Sequence, residues 1–304
     1  MNFSLSIKRI LATAITPVFI LTAAFSLPAH AEEAPQPALW KLSDSDSEIY
    51  LFGTVHILKP DTKWRSDKVM AAFNNSQIVY FEAPTEDTPP AKMQALMAPY
   101  MTNPAGVTLS SRVSPESYAK MVALAPTVGI PAAALPNFEP LRPWLVTLTF
   151  TVQQMIASGY APDSGVEKIL YGLAKKADKD LAYLETIEFQ LGLFGSLAPE
   201  VENQMFEDGM DQLSEGSAIL DSLVSDWSKG NVEGVANTMN AGFEDAPELQ
   251  ELMLVSRNRN WAEQIDTMMK GSGKIFIAVG SGHLAGEESV QDLLEAKGYK
   301  VVRQ

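Results

Sequence analysis

The chain has 304 residues, 37 acidic and 23 basic, for a formal net charge of −14, with three histidines and no cysteine. That balance excludes a general binder of nucleic-acid backbones, which needs clustered Lys and Arg. The lack of Cys excludes disulfide scaffolds, thiol nucleophiles, Cys-ligated zinc, iron–sulfur clusters and a lipidated cysteine, while the 46% hydrophobic content suits a chain with a large core.

Lys8 and Arg9 open a basic start, an apolar stretch follows over residues 10–27, and Pro28-Ala29-His30-Ala31 precedes Glu32-Glu33. Small residues at Ala29 and Ala31 form a cleavage pattern, so residues 1–31 read as a secretory signal peptide cut after Ala31. The expectation is a periplasmic or secreted protein with no stable membrane insertion after cleavage. Removal of the segment takes away Lys8, Arg9 and His30 and no acid, leaving a more acidic protein whose histidines are His56 and His283.

Residues 32–37 read as a linker, and residues 38–304 as one domain. Trp40-Lys41-Leu42 and Glu48-Ile49-Tyr50-Leu51-Phe52 flank a polar turn and predict a hairpin whose second strand runs into Gly53-Thr54-Val55-His56. Val69, Met70 and Phe73 recur at helical spacing. The apolar run 77–81 is a strand that stops at Glu82. Residues 89–260 read as a largely helical middle insertion punctuated by Pro and Gly, with helices over 115–124, 144–156, 165–177 and 217–229. A further helix is expected over 247–269, and a short strand at 180–184 ends on Glu185. The chain closes as strand 274–279, turn Gly280-Ser281-Gly282-His283, helix 287–296 and strand 299–302. The fold expected is α/β, a central sheet with flanking helices and that helical insertion.

Both remaining histidines lie three residues after a glycine that ends an apolar strand, in Gly53-x-x-His56 and Gly280-x-x-His283. Glu82 and Glu185 also follow strands. Side chains beyond the carboxyl ends of parallel strands converge on ligands, and a glycine there lets the backbone turn and keeps the approach uncrowded. Two imidazoles and a carboxylate suit a hydrolytic divalent metal, or an acid/base pair without one. Each residue also has a plainer reading: a loop histidine, a solvated acid, and for Arg257 a basic residue on a solvated helix face. Gly280-x-Gly282-x-x-Ala285 imitates a dinucleotide fingerprint, but the strand that follows ends the chain without an acid for the ribose. A Gly-x-Ser-x-Gly elbow, a His-Glu-x-x-His helix and a Walker loop are absent from the sequence.

The residues that carry a resemblance are 51–56 with His56, Glu82, Arg142-Pro143-Trp144, Leu184-Glu185-Thr186 with Gln190, Arg257-Asn258 with Trp261, and 279–284 with His283. With these the chain resembles the TraB/GumN family, related to the Tiki proteases and more distantly to the erythromycin-esterase and ChaN-like group. The resemblance implies that His56, Glu82, Arg257 and His283 form the active-site set, with Glu185 and Asn258 in support. It leads to the expectation of a periplasmic hydrolase, foremost a metal-dependent peptidase acting on a peptide or other small substrate. His56, His283 and Glu82 would hold a divalent ion (Mn, Co or Zn), Arg257 would stabilise an oxyanion, and Glu185 would orient a histidine or act as base. A metal-independent esterase-like hydrolase and a haem- or small-ligand-binding protein of ChaN-like type are the alternatives.

Overall fold

The computed structural model describes residues 35–214, 217–243 and 246–304. The expected signal peptide lies outside the described residues. The predicted hairpin forms from β1 (Leu39–Ser43) and β2 (Ser47–Thr54), antiparallel, with Trp40 opposite Leu51. Its turn is closed by Asp44, whose Oδ1 accepts the backbone N–H groups of Asp46 and Ser47 at 3.1 and 2.8 Å, an Asx arrangement that substitutes for a backbone turn.

The remaining strands are β3 (Ile78–Phe81), β4 (Asp180–Tyr183), β5 (Gly273–Gly280) and β6 (Val302–Arg303), in a sheet of order β4-β3-β5-β2-β1-β6. β4, β3, β5 and β2 run parallel, and β1 pairs antiparallel with both β2 and β6. Side chains alternate across the pleat. Phe276 and Ala278 join Phe52, Val79 and Phe73 in one core, whereas Ile275, Ile277 and Val279 join Leu51, Trp261 and Leu294 in another on the opposite face. Helices thus cover both faces, as parallel sheets require, and the architecture is the expected α/β fold.

Register aligns the strand ends. Thr54 lies opposite Gly280, and Phe81 lies opposite both Ala278 and Tyr183. Residues just beyond β2, β3, β4 and β5 therefore emerge side by side along one edge of the sheet.

Most of the middle of the chain is helical, but β4 and the sheet-covering helix Val166–Lys176 also come from this span. The helices Pro143–Ala157 and Pro199–Ser214 pack a separate core around Phe150, Val146, Phe206 and Met210. The helix expected over 247–269 is interrupted: Pro247–Gln250 leads into a π-helical turn, Glu251–Val255, before Ser256–Met268. The last helix starts later than its pattern implies, at Val290, because Ser289 caps it and Glu288 takes φ 54°. Among the described residues no helix is long and apolar enough to cross a membrane.

Candidate active site

His56, Glu82, Glu185 and His283 stand just past the ends of β2, β3, β4 and β5. The helix Ser256–Met268 crosses this edge and presents Arg257, Asn258 and Trp261, all buried. The two Gly-x-x-His turns touch: a Cβ on Gly53 would sit 3.1 Å from the Cα of Ser281. A Cβ on Gly280 would meet Glu82 Oε1 at 3.2 Å, His283 Cδ2 at 3.6 Å and His56 Nε2 at 3.6 Å. Gly280 itself has φ −51°, so close approach rather than a sharp turn is what needs the glycine.

His283 is 4% exposed. Its Nδ1 lies 2.6 Å from Asn258 Oδ1, and the orientation of that amide follows from Asn258 Nδ2 donating to the Glu288 carbonyl at 2.9 Å. An amide oxygen only accepts, so Nδ1 carries the proton and Nε2 keeps a lone pair, which receives an Arg257 Nη1–H at 3.1 Å. Burial lowers the imidazole pKa to about 3; the Glu82 carboxylate opposes this, and Arg257 and His56 reinforce it. Trp261 packs on the ring, with centroids 4.3 Å apart.

Glu82 accepts the Gly280 N–H on Oε1 at 2.7 Å, and Arg257 Nη2 and Gln190 Nε2 on Oε2 at 2.7 and 3.1 Å. Burial pushes its carboxyl up, but His283, Arg257, His56 and the Gly280 N–H outweigh that and bring it to about 2. It is a carboxylate throughout the physiological range.

Arg257 does not have the setting of the oxyanion-binding residue expected from the sequence. Its Nε and Nη2 donate to Glu185 at 2.9 and 2.8 Å, Nη2 also donates to Glu82, and Nη1 donates to the Met253 carbonyl at 2.9 Å and to His283. All five N–H groups are committed, so in this arrangement none is left for an oxyanion. Glu185 likewise touches neither histidine. It accepts from Arg257, from Trp261 Nε1 at 2.9 Å and from Gln190 Nε2 at 3.0 Å, which makes it the anchor of Arg257 rather than a base. Asn258 instead touches a histidine, through its amide oxygen at His283 Nδ1.

His56 is the exposed member, with 71% of its side chain accessible. Its Nδ1 lies 2.7 Å from Glu167 Oε1, and the Thr54 hydroxyl donates to the same oxygen. The Glu167 carboxylate raises the His56 pKa to about 9 against the opposing effect of desolvation, an attraction that water at the exposed ring screens. Sequence reasoning missed Glu167. It is the acidic residue in the first turn of the helix Val166–Lys176, a common helix-dipole placement that carries no mark of function. A cavity of about 350 Å³ opens beside these groups, lined by His56, Glu82, Glu167, Gln190, Tyr171 and Tyr183 among others. A larger one, about 420 Å³, lies among the helices Pro143–Ala157, Pro199–Ser214 and Ala218–Lys229, away from every candidate residue.

The donor types suit a divalent ion: the His56 Nε2, a Glu82 oxygen and the His283 ring meet about Gly280, with Glu82 ionised. On binding, His56 would give up a proton and His283 Nε2 would exchange the Arg257 Nη1–H for the ion. The spacing is looser than ligation needs. His283 Nε2 and Glu82 Oε1 are 3.9 Å apart, whereas donors at about 2.1 Å from one tetrahedral ion stand about 3.4 Å apart. Among the described residues no three His, Asp or Glu side chains already stand as a metal-binding group in this arrangement.

No solved structure matches this chain. It is similar to a zebrafish (Danio rerio) protein named Metalloprotease TIKI1, 22% identical over 315 residues that cover 86% of this chain and 62% of the relative. The chain therefore spans less than two thirds of that relative's length. The sequence pattern of the TraB/PrgY/gumN family matches residues 38–303, which take in the whole sheet and every residue of the site, and the chain belongs to this family.

Proposed function

We propose that the protein is a hydrolase of peptides, dependent on a divalent ion held by His56, His283 and Glu82, and that it works in the periplasm or outside the cell. The observation that carries this reading is the meeting of His56 Nε2, Glu82 Oε1 and the His283 ring around the bare Cα of Gly280, with His56 and Glu82 also lining a cavity large enough for a segment of a peptide. The similarity to a protein named a metalloprotease supports the reaction class. The Cys-free composition and the N-terminal apolar segment support the location.

A divalent ion bound there supplies a water of lowered pKa and polarises a carbonyl. The chain's own residues prepare the place. Arg257, itself clamped by Glu185, holds Glu82 ionised with Oε1 turned to Gly280. Asn258 holds the proton of His283 on Nδ1, so the lone pair, which an ion would take over from Arg257 Nη1–H, is on Nε2. Gln190 ties the two carboxylates together. The exposed His56 faces the cavity, and Glu167 on its Nδ1 leaves Nε2 for the ion.

The test is metal analysis of the purified protein together with peptide-library cleavage in the presence of Mn, Co or Zn, for wild type and for His56→Ala, His283→Ala and Glu82→Gln. Stoichiometric metal and cleavage, both reduced in the variants, are expected. A wild type that binds no divalent ion and cleaves nothing overturns the reading. One observation favours a second version: the Glu167–His56 pair is also the arrangement of an imidazole general base with its carboxylate. Cleavage that survives full chelation and is lost in His56→Ala selects that version.

A further inference from the structure

The two histidines are placed by different means. His283 is locked by burial, by Trp261 and by Asn258. His56 is exposed, and among the described residues its ring has a single polar partner within hydrogen-bond distance, Glu167. We infer that Glu167 is the positioning residue of the site: it holds the proton of His56 on Nδ1 and turns Nε2 toward Glu82 and His283.

The surrounding construction supports this role. Gly165 precedes the helix Val166–Lys176, and a Cβ there would run into the carbonyl oxygen of His56. The next residue, Val166, donates its N–H to the Val55 carbonyl at 3.0 Å. The helix start is thus pressed onto the turn that carries His56, in a register that brings the first-turn carboxylate to the ring's Nδ1. The Thr54 hydroxyl shares Glu167 Oε1 with His56 Nδ1, which fixes the carboxylate from the strand side. From the other flank Trp227 Nε1 donates to the Gly53 carbonyl at 2.8 Å, so the segment 53–56 is held on both sides. A carboxylate on the far nitrogen of a histidine fixes its tautomer and direction, and its loss typically weakens metal affinity about 10–100-fold.

The consequence for ligand binding rests on the reading proposed above, whereas the placement of the ring does not. The experiment therefore has two arms. In the first, metal-free protein labelled with 15N-histidine is observed by NMR for the protonated nitrogen of the His56 ring and its hydrogen-bonded proton. In the second, Zn2+ alone is titrated calorimetrically. Wild type is expected to show an exchange-protected proton on Nδ1. Glu167→Ala should lose that protection and bind Zn2+ about 10–100-fold more weakly. Glu167→Gln, whose amide oxygen still accepts, should keep the protected proton and most of the affinity, and it stands in if the alanine variant fails to fold. Unchanged ring signals in Glu167→Ala, or a Gln variant as impaired as the Ala variant, overturn the inference. If wild type binds no Zn2+, the metal reading fails and the NMR arm alone decides the role of Glu167.

Discussion

Two clusters of buried Arg and Glu lie in different regions of the molecule and are near mirror images. At the sheet edge one arginine, Arg257, bridges two carboxylates, Glu82 and Glu185. Among the helices of the middle span a single carboxylate, Glu202, lies between two arginines, Arg112 at 2.7 Å and Arg142. The arginines of the second cluster spend their other donors on Asn103 and on the carbonyls of Pro199, Gly195 and Phe194, tying separate segments together. Glu202 is fully buried and no cavity lined by the site residues reaches it. The comparison shows that buried charge alone does not mark a site. What separates the two is the sign of the surplus and what it faces: the edge cluster carries one excess negative charge beside a neutral imidazole and a cavity, a setting that favours a cation, whereas the helical cluster carries an excess positive charge enclosed among helices.

The sharpest way to break this comparison is to remove the central residue of each. Arg257→Ala and Glu202→Ala both leave buried like charges uncompensated, and each is expected to cost about 3–5 kcal/mol in urea unfolding. The clusters should then diverge on full replacement. A triple Arg112→Met, Glu202→Leu, Arg142→Met variant should recover most of the lost stability, since well-packed apolar groups often match a buried triad. Apolar replacement of Arg257, Glu82 and Glu185 should leave a folded protein without cleavage activity. If Glu202→Ala abolishes activity at unchanged stability, the helical cluster is not structural.

Acid offers a second separation. Glu82 falls from an ordinary 4.5 to about 2 in the folded protein, so its contribution to stability is present above pH 4.5 and is lost as pH falls toward 2. His283 falls from 6.5 to about 3, so the unfolded chain takes up the proton first and stability also drops as pH falls from 6.5 toward 3. Metal-free protein should lose stability of order a few kcal/mol between pH 6.5 and 3. His283→Gln should flatten the upper end of that slope and Glu82→Gln the lower end. A slope that is unchanged in both variants would place the acid sensitivity outside the sheet edge.

Part of the edge site was legible because four of its residues stand just past strand ends. His56, Glu82, Glu185 and His283 follow apolar runs directly, and a parallel sheet brings such ends together without local spacing. The hairpin was legible from its Asp-rich turn. Less could be read where burial is decided by distant partners. Arg257 has the pattern of a solvated helix face, and it is buried because Glu82 and Glu185 reach it from 175 and 72 positions away. The π turn before it was invisible in a continuous helical pattern. Glu167 and Glu202 both look like ordinary acids in the first turn of a helix, yet one supports the exposed histidine and the other joins two arginines. Nothing local distinguishes them.

Glycine contacts repeat the contrast on a smaller scale. A Cβ at Gly165 would strike the backbone carbonyl of His56, whereas one at Gly209 would meet the side chain of Thr147. Backbone yields less than a side-chain methyl, so Gly165→Ala should cost about 1–3 kcal/mol and displace His56, with a large fall in kcat/KM. Gly209→Ala should come closer to neutral, because about 1 kcal/mol of helix propensity offsets the crowding. Melting temperature and kinetics on the same preparations check both; equal losses of activity would remove the distinction.

The smallest expected effects concern the neutral amides that brace each cluster. Gln190 donates to both Glu82 and Glu185, and Asn103 accepts from Arg112 at 2.9 Å while donating to the Leu141 carbonyl at 2.7 Å. Gln190→Leu and Asn103→Leu each strand some of a buried charge network, for a loss of about 1–2 kcal/mol. Their functional outcomes should differ. Without Gln190 the Arg257 clamp still holds both carboxylates, so Glu82 stays ionised but its Oε1 loses some definition beside Gly280, and kcat should fall by less than about tenfold with metal affinity reduced. Without Asn103 activity should follow the folded fraction alone. A Gln190→Leu variant with wild-type kcat and metal affinity would mean that Arg257 by itself sets the direction of Glu82, and the brace would then be as purely structural as its helical counterpart.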